Sequence, residues 1–165
     1  MNMKSIIVTG TPGSGKTTLA KRLAELMHLT YFDCHEFIIK NKLSVGFDKS
    51  DDCEIVDTEK LSDALVKEIE KSRSILIIDS HLSHYLPKKY VKLCIVAKCE
   101  LKELKLRLNK RGYSAKKTRE NLDAEIFDVC LNEAEEAGHH VIIVNTSKKI
   151  DYEVLKEAIE SVNFK

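Results

Sequence analysis

The sequence of 165 residues contains no tryptophan, two prolines and six glycines, so these residues mark few turns along the chain. Its five cysteines are odd in number and lack C-x-x-C spacing, and they indicate neither a disulfide framework nor a zinc site. The sequence has no run of about twenty apolar residues and no signal-peptide pattern at its N-terminus. These absences predict a soluble protein of the cytoplasm.

Charge of neither sign dominates, because 27 lysines and arginines stand against 26 aspartates and glutamates, with a formal net charge of +1. This balance provides no global field that would select nucleic acid or a membrane, so any partner must be recognised locally. The length suits one continuous core, and we expect a single domain over residues 1–165.

Residues 10–17 read Gly-Thr-Pro-Gly-Ser-Gly-Lys-Thr and match the phosphate-binding pattern G-x-x-x-x-G-K-[ST]. An apolar strand pattern precedes the segment and a helical pattern follows it, which is the context that the motif requires. In such a loop the backbone N–H groups turn toward phosphate oxygens, and these positions are Gly10, Gly13, Ser14 and Gly15.

Two side chains of this loop carry chemistry. Lys16 can reach the β and γ phosphates of a nucleoside triphosphate, and the Thr17 hydroxyl can bind Mg²⁺. The positive end of the following helix dipole favours an anion at the same place. The alternative is an ordinary glycine turn between a strand and a helix, which the flanking pattern disfavours.

Short apolar runs alternate with longer helical patterns, which is typical of a parallel sheet wrapped by helices. We predict strands at residues 6–8, 75–78, 93–97 and 141–144, with a weaker one at 30–32; their continuous Ile, Val and Leu content suits strands covered on both faces. Helical spacing predicts four apolar helix faces, formed by Leu61, Leu65 and Ile69, by Leu101, Leu104 and Leu108, by Leu122, Ile126 and Val129, and by Leu155, Ala158, Ile159 and Val162.

An acid follows one of these predicted strands. Asp79 ends the apolar run at residues 75–78, and His81 lies two residues further on. Ligands bind at the carboxyl ends of strands in an open parallel sheet, so Asp79 can hold Mg²⁺ or its water shell beside the phosphate loop. A turn-capping aspartate and a surface histidine are the plainer alternatives. In the functional reading, His81 orients an attacking water or steers a phosphate oxygen.

A basic segment at residues 109–117 surrounds Gly112. Gly112 and Gly46 each predict a mobile loop at their own position in the chain. A hinged basic loop can close over bound phosphates, neutralise charge and exclude water. Arg107 and Arg111 are four residues apart and would project on the same side of a continuous helix. The alternative is a solvated helix end, where basic residues are favoured by the helix dipole.

Four motifs, in order and spacing, resemble the adenylate kinase isoenzyme 6 family, which includes a eukaryotic nuclear protein and archaeal counterparts. The resemblance extends from about residue 4 to residue 148. The motifs are Gly-Thr-Pro-Gly-Ser-Gly-Lys-Thr-Thr at 10–18; Phe47-Asp48 with Asp51-Asp52-Cys53 and Asp57; Asp79-Ser80-His81 with Pro87; and Arg111-Gly112-Tyr113 with Lys116-Lys117, Asn121 and Glu125-Ile126-Phe127.

The resemblance implies a P-loop NTPase fold of the α/β class and nucleoside monophosphate kinase type, with a five-stranded parallel sheet flanked by helices. It implies a monophosphate-binding region at residues 33–56 and a short lid at residues 110–120. The implied ATP-binding residues are Gly10, Gly13, Ser14, Gly15, Lys16, Thr17, Thr18, Arg111 and Lys148; Thr17 and Asp79 would hold Mg²⁺, and Lys16, Asp79, His81 and Arg111 would be catalytic.

Implied activities are the transfer of the γ-phosphoryl group of MgATP to AMP or another nucleoside monophosphate, and ATP hydrolysis. The family is also linked to maturation of the small ribosomal subunit, where the implied partners are a platform ribosomal protein and the pre-ribosomal small subunit. One alternative is a nucleotide-switch assembly ATPase with little kinase activity. A small-metabolite kinase of the shikimate type is a further alternative.

One segment departs from the family pattern. The family often has Gly-Asp-Leu-Ala-Arg where this chain has His35-Glu36-Phe37-Ile38-Ile39, so Ile39 stands where an arginine would meet the acceptor phosphate. Lys40 can substitute as a point charge, but it cannot make the bidentate contact of an arginine. We therefore expect weak monophosphate kinase activity alongside ATP hydrolysis.

Overall fold

The computed structural model describes residues 4–50 and 52–162. Its centre is a five-stranded parallel sheet in the order β2-β5-β1-β6-β7, and a separate antiparallel hairpin pairs β3 with β4. The strands are β1 Ser5–Thr9, β2 Thr30–Asp33, β3 Ser44–Asp48, β4 Cys53–Val56, β5 Leu76–Asp79, β6 Val91–Lys98 and β7 Val141–Asn145. All five strands predicted for the parallel sheet are confirmed.

Helices follow the strands and cover the sheet. They are α1 Lys16–Met27, α2 Cys34–Lys40, α3 Thr58–Lys71, α4 Leu101–Lys110, α5 Ala115–Ile126, α6 Val129–Glu136 and α7 Tyr152–Ser161. Several begin at a side chain that accepts a hydrogen bond from a backbone N–H of the first turn, namely Asp33, Asp57, Ser114 and Asp151 before α2, α3, α5 and α7.

The strands are buried on both faces because successive side chains point to opposite sides of the sheet. In β1, Ile7 packs into a cluster with Leu61, Leu65 and Ile69 of α3. Its neighbours Ile6 and Val8 pack into a second cluster, with Leu19 and Leu23 of α1 and Leu155 and Ile159 of α7. Two hydrophobic cores therefore fix the sheet between helices on each side.

The prediction that Leu122, Ile126 and Val129 form one apolar face of a single helix is wrong, because two separate helices meet there. Helix α5 ends at Ile126, and Asp128 adopts a left-handed conformation with φ 51° before α6 begins. The side chains of Ile126 and Val129 are 50% and 38% exposed. Leu101 is also exposed, whereas Leu104 and Leu108 are buried as expected.

Residues 33–56 contain α2 and the β3–β4 hairpin, and Asp51 of the resemblance motif lies outside the described residues. Gly46 is part of strand β3, so the prediction of a mobile loop around it is wrong.

In the basic segment at residues 109–117, α4 continues to Lys110, Gly112 lies in a turn with φ 74°, and α5 starts at Ala115. Only a short turn therefore separates α4 from α5. Within the described residues, no helix combines the length and apolar character needed to cross a membrane.

His84, in a short 3₁₀ turn after β5, connects strand β1 to helix α6. Its side chain is 2% exposed; its Nδ1 lies 2.9 Å from the Thr9 hydroxyl, and its Nε2 lies 2.7 Å from a carboxylate oxygen of Glu133. This geometry fits a neutral ring that accepts a hydrogen bond from Thr9 and donates one to Glu133. Burial lowers the pKa of His84, and the bond to Glu133 opposes that effect in part. Burial also lowers the pKa of His139, whose Nε2 donates to the His84 carbonyl at 2.8 Å.

We expect the protein to lose stability as the pH falls below about 6.5, the ordinary histidine pKa. Between that value and the lower folded-state pKa, the unfolded chain binds protons that folded His84 does not, so stability is complete above this window and falls within it. Urea unfolding at pH 7.5 and 5.5 measures the loss, and His84→Gln should reduce the difference between the two midpoints. An equal difference in that variant would contradict this assignment.

Candidate functional site

The phosphate-binding loop joins β1 to α1 and packs directly on β6. Gly10 has φ 146°, and a Cβ there would lie 2.6 Å from the carbonyl oxygen of Ala97. Gly15, with φ 91°, precedes the first residue of α1, and a Cβ there would lie 3.2 Å from Thr146. A side chain is therefore excluded at Gly10, and the left-handed φ together with the close neighbour disfavours one at Gly15. The N-terminal amides of α1 lie at this loop, where they can bind an anion.

Lys16 begins α1, and its ammonium group lies at the centre of this site. It donates a hydrogen bond of 3.1 Å to the carbonyl oxygen of Thr11 in the loop itself. Burial lowers the pKa of Lys16 to about 8, against the attraction of the Asp79 carboxylate, and Arg111 lowers it further. A bound phosphate would add negative charge beside this ammonium group and favour its charged form.

Asp79 is the last residue of β5, and its side chain is buried beside Lys16. Its Oδ2 accepts hydrogen bonds from the Thr17 hydroxyl at 2.6 Å and the Tyr31 hydroxyl at 2.9 Å. Strand β5 lies between β1 and β2, with Asp79 in register with Val8 and Asp33, which brings its carboxylate to the loop. Hydroxyl and carboxylate oxygens are hard ligands of the kind that Mg²⁺ prefers, so Thr17 and Asp79 suit that ion chemically.

Tyr31 was missed by the sequence reasoning. It lies on β2 next to Asp79, and the Asp79 carboxylate together with burial raises the pKa of its hydroxyl. The pairing depends on which strand lies beside β5 in the sheet. Only the strand order, which short apolar runs do not encode, could have revealed it.

His81 lies on the same edge of the sheet as Lys16, and the residue is exposed. Desolvation lowers the pKa of His81, and the neighbouring Lys16, His84 and His35 also disfavour its protonated form. The ring is therefore neutral at physiological pH and can accept a proton or a hydrogen bond.

A cleft of about 570 Å³ opens beside the phosphate-binding loop, between α4 and the start of α7. It brings together five residues predicted from the sequence, Gly13, Gly15, Thr18, Arg111 and Lys148. Thr146 also lines it and belongs to the loop at residues 145–148, which the family resemblance places beside the adenine; Arg107 and Tyr152 line it too and were not predicted as binding residues. The remaining predicted residues Gly10, Ser14, Lys16, Thr17, Asp79 and His81 lie in the loop or at its edge.

Arg107 fastens α4 to the loop that follows β7. Its Nη1 and Nη2 donate to the Thr146 hydroxyl and carbonyl oxygens, both at 3.1 Å, and its Nε donates to Glu103 at 3.0 Å. The Thr146 hydroxyl in turn donates to the carbonyl oxygen of Ser14. Arg107 therefore holds the wall of the cleft, and the spacing of four residues that placed it beside Arg111 was the available signal.

The chain has the fold of the P-loop kinases. Among solved structures, the chain is similar to shikimate kinase from Acinetobacter baumannii in complex with shikimate, with a TM-score of 0.61 and 15% identity over 96% of this chain and 92% of the other. It is also similar to a gluconokinase from Sinorhizobium meliloti 1021, with a TM-score of 0.56 and 16% identity over 98% of this chain and 92% of the other. At these identities the likeness concerns the fold.

A family model described as "AAA domain" matches residues 6–128. A protein of Methanocaldococcus jannaschii named "Putative adenylate kinase" is 39% identical over 160 residues, which are 97% of this chain and 86% of that protein. The "Adenylate kinase isoenzyme 6 homolog" of Caenorhabditis elegans is 30% identical over 158 residues, or 96% of this chain and 86% of that protein. The chain belongs to the adenylate kinase isoenzyme 6 family, and the resemblance drawn from its motifs is confirmed.

We expect nucleotide binding to weaken as the pH rises through about 8, where free Lys16 loses its proton. A bound phosphate favours the charged ammonium group, so binding above that pH must recover a proton, and affinity should fall about tenfold between pH 7 and pH 9. Fluorescence titration with a labelled ATP analogue, without metal, measures this slope. Lys16→Met should bind more weakly at pH 7 and lose most of the slope; the same slope in that variant would contradict the role of Lys16.

Proposed function

We propose that the chain is a nucleoside monophosphate kinase that transfers the γ-phosphoryl group of MgATP to AMP or another nucleoside monophosphate, and that also hydrolyses ATP. The observation that carries this proposal is the convergence of Lys16, Asp79 and Arg111 around one phosphate-binding loop at the carboxyl edge of the sheet. The names of the relatives support the same reaction. The proposed organisation is a single domain, with residues 33–56 binding the monophosphate and residues 110–120 acting as the lid.

On the donor side, the loop amides would bind the phosphates of ATP. Gly10, Gly13, Ser14 and Gly15 supply the backbone of this cradle, and Lys16 would contact the β and γ phosphates. Thr18, Arg111 and Lys148 line the adjoining cleft, which has room for the nucleoside. Arg111 would neutralise charge on the transferring group, because it lies near enough to Lys16 to affect its pKa.

Thr17 and Asp79 would hold Mg²⁺ directly or through water. When bound, the ion would neutralise charge on the phosphate oxygens during in-line transfer. Tyr31 and Thr17 both donate to Oδ2 of Asp79, so this carboxylate is oriented by two hydroxyl groups from neighbouring elements. Tyr31 is therefore a positioning residue in this scheme, since it orients Asp79 rather than a phosphate.

The proposed acceptor side has fewer cationic side chains to bind a phosphate than the donor side. Ile39 replaces the expected arginine and its side chain is 56% exposed, while Lys40 ends helix α2. A point charge at Lys40 orients a phosphate less firmly than a guanidinium group. This favours slow phosphorylation of the monophosphate, and it leaves water as a competing acceptor.

His81 would act on that water. Its neutral ring can accept a hydrogen bond from a water molecule and orient its oxygen toward the γ phosphate. When a monophosphate occupies the acceptor side, its oxygen takes the position of the water. Kinase and hydrolysis would then share the donor site and differ in the acceptor.

A second candidate function is a nucleotide switch in small ribosomal subunit maturation. In that case binding and hydrolysis of ATP would set the conformation that grips a platform ribosomal protein of the pre-ribosomal small subunit, and kinase activity would be secondary. Ile39 is the observation that favours it. A shikimate-type small-metabolite kinase is a third candidate, supported by the likeness to the shikimate kinase fold.

Turnover of ATP with and without AMP distinguishes these candidates. A kinase produces ADP in proportion to added AMP, whereas a switch hydrolyses ATP alone. We expect Lys16→Ala to lower both reactions by at least about a hundredfold, because both need the donor phosphates. We expect His81→Ala to remove most hydrolysis while phosphoryl transfer to AMP continues.

Lys105→Ala serves as the matched control, since Lys105 is an exposed lysine of α4 outside the cleft. Undiminished turnover in Lys16→Ala would overturn the whole scheme. Phosphorylation of shikimate or another non-nucleotide, with AMP inert, would instead establish a small-metabolite kinase. Equal loss of both reactions in His81→Ala would assign His81 to the shared donor side.

A further inference from the structure

Lys117, in the first turn of α5, reaches across to the β3–β4 hairpin. Its ammonium group donates a hydrogen bond of 3.0 Å to the carbonyl oxygen of Asp52. The same group lies 4.3 Å from the centroid of the Tyr113 ring. One cation therefore joins the turn before α5 to the turn of the hairpin, although 65 residues separate the two bonded residues.

The backbone that carries Lys117 is firmly held. Its N–H donates to the hydroxyl of Ser114 at 3.1 Å, and its carbonyl oxygen accepts from the Asn121 amide at 2.7 Å. Tyr113 packs against the buried cluster of Cys99, Leu104 and Leu108 at the base of α4. The direction of the Lys117 side chain is thus fixed by a helix cap and by an anchored aromatic ring.

The hairpin needs such an external contact more than other parts of the fold. Strands β3 and β4 form a sheet of their own and share no ladder with the five-stranded sheet. Three of their apolar side chains, Val45, Phe47 and Ile55, are 56%, 54% and 48% exposed, so they contribute little to a buried core. Leu43 and Val56 pack the base of the hairpin against the core, whereas its turn lies at the far end. A two-stranded hairpin is marginally stable alone, so a contact at the turn helps to fix its position.

Lys117 therefore differs from Arg111 of the same basic segment. Arg111 lies near Lys16 and lines the cleft beside the phosphate-binding loop. The ammonium group of Lys117 is engaged by a carbonyl oxygen and a ring, both outside that loop. Its ammonium group therefore connects the turn before α5 with the turn of the β3–β4 hairpin.

We propose that Lys117 is a positioning residue that couples the segment containing α5 to the β3–β4 hairpin within residues 33–56, and so sets the geometry of the acceptor side. The inference rests on the proposed kinase function, in which residues 110–120 are the lid and residues 33–56 bind the monophosphate. Because the Lys117 ammonium group contacts Asp52 and Tyr113 rather than the phosphate-binding loop, we expect its loss to disturb acceptor binding more than donor binding.

The test compares Lys117→Ala with Lys105→Ala in steady-state kinetics. We expect Lys117→Ala to raise the KM for AMP about three- to tenfold, the range of one exposed charge-assisted contact, and to raise the KM for ATP less than the KM for AMP, whereas Lys105→Ala should change neither. Lys117→Arg should restore most of the KM, because a guanidinium group can make both the carbonyl and the ring contact. An unchanged KM for AMP, or a raised KM for ATP instead, would overturn the proposal.

Amide hydrogen exchange tests the coupling without relying on kinase activity. We expect exchange in residues 44–56 to be faster in Lys117→Ala than in Lys105→Ala, with exchange in the five-stranded sheet unchanged. Equal exchange in residues 44–56 would show that Lys117 does not hold the hairpin. If wild type fails to phosphorylate any monophosphate, the proposed function fails, and the exchange result alone decides the role of Lys117.

Discussion

The hydrogen bond from the Thr17 hydroxyl to the Asp79 carboxylate, 2.6 Å long, joins the start of α1 to the end of β5. It can form only because β5 lies directly beside β1 in the parallel sheet, with Val8 and Asp79 in register. This contact fixes the positions of the phosphate-binding loop, Asp79 and Lys16 relative to one another. The two hydrophobic cores on either face of the sheet keep this arrangement rigid, since they hold α1 on one side and α3 on the other.

The two halves of the proposed site are built very differently. The donor half belongs to the parallel sheet and to helices packed on it, and Arg107 secures its outer wall to Thr146. The acceptor half belongs to α2 and to a hairpin with its own small sheet. Rigid backbone suits the binding of phosphates that must be oriented for in-line transfer, whereas the acceptor must enter and leave. The basic cleft thus belongs to the rigid donor half of the proposed site, and the hairpin, which is outside the parallel sheet, belongs to the acceptor half.

Much of the donor half could be predicted from the sequence, because its information is local. The phosphate-binding motif, the apolar strands and the acid at the end of β5 are each contained in one short stretch of chain, and the five predicted strands all occur. What could not be predicted depends on neighbours in space. Tyr31 contacts Asp79 through strand order, and Arg107 meets Thr146 across a loop. The stripe of Leu122, Ile126 and Val129 failed for a related reason, since a left-handed Asp128 divides one apparent helix into two.

The separation of the hairpin from the main sheet has a consequence for how this protein can change over evolutionary time. Substitutions at the exposed hairpin residues Val45, Phe47 and Ile55 alter no strand ladder of the parallel sheet and remove little buried apolar surface. Variation there is thus nearly free of cost to folding, whereas a side chain at Gly10 would collide with the main chain of Ala97. The exposed hairpin residues therefore tolerate substitution, whereas Gly10 of the phosphate-binding loop does not. In the proposed scheme, the acceptor side can therefore change in sequence while the phosphate-binding loop is retained.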